Sequence, residues 1–205
     1  MPCDLVTIGE SFEDLIFVDL PRLPGPGEEV KTGEFVKTVG GGAVITAIAA
    51  ARLGLNCRVM SGLSRLAAGR LRAEGVAIKN LRRRGEPGAV TAALSTKQDR
   101  SFVTFNGIND VLEERLLKPT LRLRARHVHF AFYPKGCARW LEVLRELGKR
   151  SISTSWDFGW NEGLLEDPGF LPLLAVLDYV LMNDQETLLY SRTKNLTRAV
   201  EYWCT

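Results

Sequence analysis

The chain has 205 residues, 45% of them hydrophobic and 25% charged, with a formal net charge of +3. These proportions describe a globular protein of one large domain, or of one domain with a small appendage. So small a charge, with no basic stripe interleaved with aromatics, excludes a nucleic-acid partner, and no apolar run approaches the ~20 residues of a membrane span. The opening "MPCDLVTIGES" enters a strand at once and is read as no signal peptide. "DLVTIG" is short, apolar and β-branched, a buried strand. "AVITAIAAARLG" is a helix of small residues, with Gly54 as its C-terminal cap. "CRVMSG" is a strand, and "SRLAAGRLRAEG" a helix that Ser64 caps and Gly75 stops. The basic run Arg82-Arg83-Arg84 reads as a solvated turn. "RHVHFAFY" is a core strand. "GCARWLEVLRELG" follows as an amphipathic helix with Trp140, Val143, Leu144 and Leu147 on one face. "SISTSWDFG" is a strand, "PGFLPLLAVL" a short helix, "DYVLMN" a strand, and "DQETLLYSRT" and "NLTRAVEYW" are helical. Strands separated by helices predict a parallel sheet covered on both faces.

Two segments break this rhythm. "EEVKTGEFVKTV", residues 28–39, follows the turn-rich "LPRLPGPG" and has no continuous apolar run. "AVTAALSTKQDRSFVTFNG" reads as a hairpin that turns at Lys97 to Arg100. Segments 28–39 and 89–105 are therefore expected to form a small, half-exposed sheet, either a lid over the parallel core or an extension of its edge. Val30, Phe35, Val90, Phe102 and Phe105 would supply an apolar lid face.

Several chemistries are argued against by spacing. Cys3, Cys57, Cys137 and Cys204 form no C-x-x-C pair, and only His127 and His129 accompany them, which disfavours zinc. Free thiols in a reducing cytoplasm are the expectation. The first strand ends "IGES", without the G-x-G-x-x-G that a dinucleotide fingerprint needs. Val76-Ala77-Ile78-Lys79 and Asp157-Phe158-Gly159 spell two protein-kinase motifs, but no H-R-D loop lies between them. What stands out is "TVGGGAVITAIAAARLG", three glycines running into a helix. Helix N-termini present unsatisfied N–H groups, and a missing Cβ lets a ligand come close. Close packing of the small-residue helix is the alternative.

The same stretch, "GGGAVITAIAAARLG" from Gly40 to Gly54, resembles the "GG…N.A.A.ARLG" signature of the ribokinase-like (PfkB) carbohydrate kinases. Other pieces occur in the family's order. "IGESFEDLIF" resembles the first strand, with Asp14 at the family's sugar-binding aspartate. "LPGPGE" resembles the turn into the lid, and "LRAEGV" a helix end before the next strand. "DRSFVTFNGIND" resembles a lid strand and the turn after it, and "DYVLMNDQE" the strand ending in an N-x-x-E motif at Asn183 and Glu186.

The resemblance implies an α/β fold, a Rossmann-like parallel sheet flanked by helices with a β-sheet lid. It implies a cytoplasmic kinase that moves the γ-phosphoryl of ATP to a hydroxyl of a sugar or nucleoside, and a homodimer made through the lid. By resemblance Asp14 accepts hydrogen bonds from sugar hydroxyls, and Gly40, Gly41 and Gly42 let the sugar approach. Asn183 and Glu186 would organise magnesium and phosphate through water, with Glu186 on the metal side. Read from the residues alone, Asp14 could equally be a turn or cap residue. Asn183 and Glu186 could be an N-cap and a helix-start acid. Asp157 could serve a ligand at a strand end or cap a loop, and Phe132 and Tyr133 could be core or pocket wall.

The departures are specific. Ile45 stands where the signature has its asparagine, and "SGLSRLAAGRLRAEGV" lacks the family's G-D-D-x-x-G. No match to the family's G-A-G-D, which holds the catalytic base and anion hole, occurs from Met1 to Thr205. The expectation is a C-terminally truncated ribokinase-like domain over residues 1–205, with no catalytic residue assigned within it. The alternative is a non-catalytic remnant that binds a small molecule or a partner through the lid.

Overall fold

The computed structural model describes residues 3–204. Six strands form a parallel sheet and four form a second, mixed sheet. In chain order the elements are β1 (Cys3–Gly9), β2 (Phe12–Leu20), β3 (Glu34–Gly40), α1 (Gly42–Arg52), β4 (Cys57–Ser61), α2 (Arg65–Ala73) and β5 (Ala77–Asn80). There follow β6 (Val90–Thr96), β7 (Arg100–Phe105), α3 (Asn109–Thr120), β8 (Ala125–Ala131), α4 (Cys137–Gly148) and β9 (Ser153–Asp157). A 3-10 turn (Glu162–Glu166), α5 (Phe170–Leu174), β10 (Tyr179–Leu181), α6 (Asp184–Ser191) and α7 (Leu196–Cys204) complete the described chain.

The core sheet runs β10-β9-β8-β1-β4-β5. Side chains on β1 alternate between two cores, as the period of a strand requires. Leu5 packs with Val44, Ala47, Val59 and Leu71 in the cluster built by α1 and α2. Val6 and Ile8 join Phe130, Trp140, Leu144 and Trp156 in the larger cluster, to which α3 and α4 contribute. The face expected of α4 is the observed one: Trp140, Val143, Leu144 and Leu147 are all buried. Under the strand ends the larger core is aromatic. Phe130 stacks on Trp156 at 4.5 Å, Trp156 on Phe158 at 4.9 Å, and Trp140 meets Trp156 edge-on at 5.5 Å. Both buried indole N–H groups are satisfied: Trp156 Nε1 donates to the Phe132 carbonyl at 2.6 Å, and Trp140 Nε1 to Glu113 Oε1 at 2.7 Å.

The helix ends follow their sequence signals. Ser64 accepts from Ala67 N at 3.1 Å, and Gly75 takes the left-handed conformation just past α2. The arginine turn is tied down from within: Arg82 Nη1 donates to the Glu86 carbonyl at 2.9 Å, and Arg115 makes two bonds to the Glu86 carboxylate.

The lid runs β3-β2-β6-β7, with β2 antiparallel to β3 and parallel to β6. Its extent corrects the expectation. Residues 28–33 form no strand, and β3 occupies 34–40. The hairpin of β6 and β7 falls within 89–105 and turns over residues 97–99, as expected. A lid strand, β2, was read as part of the first core strand. The chain leaves the core after Gly9, and "FEDLIFVDL" becomes a strand of the other sheet. Almost every residue of β2 is half-buried on both faces, so it has no alternation to separate it from a core strand. The helix α3 was also unforeseen, and the short helix expected from residue 168 is confined to Phe170–Leu174.

Candidate functional site

The C-terminal ends of the parallel strands form one rim. Register pairs Gly9 with Ala131, Ala131 with Asp157, and Asp157 with Leu181. Asn183 follows Leu181 by two residues. Ligands of open α/β sheets gather at such a rim. Here β1 does not turn back into a helix. Glu10 and Ser11 carry the chain directly to the lid, and β3 returns it to α1 through the three glycines. The lid therefore hinges on the rim.

Each glycine is bare for its own reason. A Cβ on Gly40 would overlap Asp14 Oδ2. Gly41 has φ 95°, which L side chains avoid, and a Cβ there would overlap the Glu10 carbonyl. A Cβ on Gly42 would lie 2.7 Å from that of Ala131. Close packing thus accounts for all three. Only Gly42 also borders the cavity at the rim. This cavity, about 210 Å³, is lined by Glu10, Gly42, Ala131, Phe132, Tyr133 and Asp157 to Trp160.

Asp14 sits on β2 in the lid, not at a core strand end. It pairs in register with Thr38 and Thr91, so all three share one face, and its carboxylate lies across Gly40. Burial raises its pKa above the ordinary aspartate value. Glu10 is half-buried, and its pKa is pushed up to about 7, by burial first and then by Asp110, against the opposing pull of Lys135. Among the described residues neither carboxylate accepts a hydrogen bond.

Asn183 and Glu186 make a reciprocal capping box at the start of α6. Asn183 Oδ1 accepts from Glu186 N at 2.9 Å; Glu186 Oε2 accepts from Asn183 N at 3.1 Å and Oε1 from Asn183 Nδ2 at 2.8 Å. Tyr190, on the same helix, accepts from Asn161 N and donates to the Gly159 carbonyl, which ties α6 to the turn after Asp157. Asp157 Oδ1 accepts from Gly159 N at 3.0 Å, so it does cap that turn. The structure thus joins Asp14 to Gly40 and Gly42 to Glu10. Asn183 and Glu186 lie on the same rim but do not line that cavity. For magnesium the fit is poor. Glu186 has both oxygens engaged, and among the described residues no group of three His, Cys, Asp or Glu side chains could hold a metal ion. Glu10 and Asn109 are the cleft residues that sequence reasoning missed. The available signal was an acidic residue directly after a fully buried strand.

A helix-flanked parallel sheet with a small β-sheet at its strand ends defines the class, an α/β protein of ribokinase-like fold. The chain belongs to the pfkB family of carbohydrate kinases, whose sequence profile matches residues 3–202. A search of curated protein sequences finds no match. Among solved structures the ribokinase of Giardia lamblia superposes with a TM-score of 0.76 at 17% identity, over 98% of this chain and 66% of that one. Arabidopsis thaliana ribokinase, complexed with ribose and ATP, gives 0.69 at 20% identity, over 98% and 68%. The tetrameric inhibited form of phosphofructokinase-2 from Escherichia coli gives 0.72 at 15% identity, over 97% and 69%. At these identities the likeness is one of fold. The chain spans about two thirds of the length of these structures. Among the described residues no helix is long and apolar enough to cross a membrane.

Proposed function

We propose that this chain carries the acceptor half of a carbohydrate kinase site, and that it binds the hydroxyls of a sugar or nucleoside between Asp14 on the lid and the glycine turn at α1. The observation that carries this is the Asp14 carboxylate: half-buried, without a hydrogen-bond donor, and laid across Gly40, two residues before the Gly42 that borders the rim cavity. A buried carboxylate without partners is costly, and two ligand hydroxyls would supply what it lacks. Gly42 borders the cavity at the helix start, and Tyr133 and Trp160 wall it. Lid closure about Glu10–Ser11 and Gly40–Gly41 would exclude water from the acceptor hydroxyl. By family membership ATP is the phosphoryl donor, with Asn183 and Glu186 on its side of the rim. Their mutual hydrogen bonds favour a positioning role for the pair over direct metal ligation. Transfer needs a base at the acceptor and donors around the moving phosphoryl group. No residue between 1 and 205 is assigned either role, so the proposed function is acceptor binding.

The lid also supports association. Register puts Leu15, Phe17, Phe35, Val103 and Phe105 on the face away from Asp14, and Phe35 and Phe105 are 54% and 57% exposed. Phe102 belongs to the Asp14 face, since it pairs with Ala93, and Val30 lies outside the strands. An apolar sheet face of this kind is a partner surface, and we assign it to a second copy of the chain. Calorimetry with D-ribose, D-fructose and adenosine tests the site: Asp14→Ala should bind the preferred compound at least 10-fold more weakly. Equal binding by the variant removes Asp14 from the site. A monomer by light scattering at micromolar concentration removes the lid dimer.

A further inference from the structure

Glu10 lies between two spaces. One is the rim cavity shared with Gly42 and Asp157. The other is a recess of about 20 Å³ behind it, lined by Glu10, Asn109 and Tyr133 among others. That volume holds about one water-sized group. The backbone of Glu10 is fixed on both sides. Its N–H donates to the Ala131 carbonyl at 3.3 Å, and its own carbonyl lies against Gly41. The carboxylate is therefore held at the hinge between core and lid with no hydrogen-bond partner among the described residues.

Asn109 supplies a second, independent sign. Its side chain is only 7% exposed; Nδ2 donates to the Ser11 carbonyl at 3.4 Å, but Oδ1 is buried with no partner. Leaving such an acceptor unsatisfied is costly, because its water hydrogen bonds are lost with nothing in exchange. The neighbours do not fill the need. Lys135 Nζ donates to the Asp110 carbonyl at 2.6 Å, Asn106 Nδ2 donates to Asp110 Oδ1 at 3.1 Å, and Glu113 accepts from Lys135 N and from Trp140. Two acceptors without donors thus line a recess that opens beside the acceptor cleft.

We propose that Glu10, backed by Asn109, forms a donor-reading subsite whose carboxylate accepts from one hydroxyl of the acceptor substrate on the core side of the glycine turn, as Asp14 takes hydroxyls on the lid side. The subsite rests on the acceptor-site reading above. It makes Glu10 a specificity-determining residue: a substrate lacking that hydroxyl leaves the Glu10 carboxylate unpaired. It also compensates for Ile45, which offers no hydrogen bond from α1.

The charged groups around Glu10 are Asp110, Glu113 and Lys135 beside the recess and Asp157 across the cavity. The Glu10 pKa is pushed up to about 7, and burial raises that of Asp14 as well. A hydroxyl donates best to the ionised carboxylate, so affinity should rise from pH 6 to pH 8.

The test is calorimetry on the full chain with D-ribose, D-fructose and adenosine, then with single-deoxy forms of whichever binds. Thermal melts check that Glu10→Gln, nearly the same shape, stays folded; Asn109→Asp serves as the second variant. The expected result has three parts. Glu10→Gln weakens binding about 10-fold. One deoxy form is weakened similarly in the native chain but no further in Glu10→Gln. The rise in affinity between pH 6 and pH 8 disappears in Glu10→Gln. Should Glu10→Gln bind as the native chain does while Asp14→Ala does not, the subsite is wrong and the acceptor site stands. Loss of affinity equal for all deoxy forms with an unchanged pH profile reduces Glu10 to a structural hinge and overturns the proposal. No binding of any of the three compounds overturns the acceptor site and the subsite together.

Discussion

The two sheets of this protein are built from similar residues and live in opposite surroundings. In the core sheet Val6, Ile8, Val128, Phe130 and Trp156 are wholly buried between helices. In the lid Phe35, Phe102, Val103 and Phe105 are mostly exposed, because no helix covers them. Burying such a side chain is worth about 1.5–3 kcal/mol, so the core gathers most of the stability while the lid forgoes it. The difference teaches where to look for each property. Stability resides where strands are covered on both faces. The proposed binding and association both call on the sheet that carries apolar and acidic side chains without internal partners.

The comparison is most easily broken at its extreme. Trp156 stacks on Phe130 and Phe158 in the core, so Trp156→Ala should cost ~3–5 kcal/mol in urea unfolding. A loss below about 1 kcal/mol would show that the aromatic cluster does not hold the molecule together.

At the junction of the two sheets the backbone is decisive. Gly41→Ala forces a side chain into φ 95° and onto the Glu10 carbonyl. The conformational part alone should cost ~1–3 kcal/mol. Crystallography of the variant should find the lid re-aimed relative to α1. A variant as stable as the native chain, with an unmoved lid, would remove the hinge from this position.

Farther along the rim, Asn183→Ala breaks the capping box of α6 and should cost about 1 kcal/mol. If sugar affinity stays unchanged in this variant while stability falls, the pair is confined to capping.

Acid should act on the core rather than the lid. His127 hydrogen-bonds Ser153 and Ser155, His129 hydrogen-bonds Ser155, and burial lowers both pKa values below the ordinary 6.5. The folded state then takes up these protons later than the unfolded chain. Stability should be indifferent to these histidines above about pH 6.5 and should fall as pH drops from there through their lowered values. Glu10 acts in the reverse sense. Its raised pKa gives stability that is full below 4.5 and is lost as pH rises to about 7. Comparing urea midpoints of the native chain, His129→Asn and Glu10→Gln across pH 5 to 8 separates the two. No change of slope in either variant would refute both assignments.

The smallest effect on stability belongs to the lid surface. Phe105→Ser should move stability by less than ~0.5 kcal/mol, since the ring is 57% exposed. The same change should shift a lid dimer towards monomer in sedimentation, the one measurement in which lid and core exchange rank.

Much of the core was legible in the sequence. A strand buried on both faces has to be continuously apolar, and a helix packed on a sheet has to show its period. "DLVTIG", "CRVMSG" and the α4 face at Trp140, Val143, Leu144 and Leu147 therefore announced themselves, as did the caps at Ser64 and Gly75. The glycine run and Asp14 were legible as a motif. Tertiary structure decided the rest. β2 could not be told from a core strand, because which sheet a strand joins depends on its partners, not on its own pattern. The glycines turned out to be shaped by Asp14, Glu10 and Ala131, residues up to 89 positions away from Gly42 in the chain, because packing contacts are set by the fold. Glu10 and Asn109 drew no notice as single letters. Only the closure of β1, β8 and α3 around one recess brings both residues to its wall, and burial, which no local sequence encodes, leaves their acceptors without a donor there.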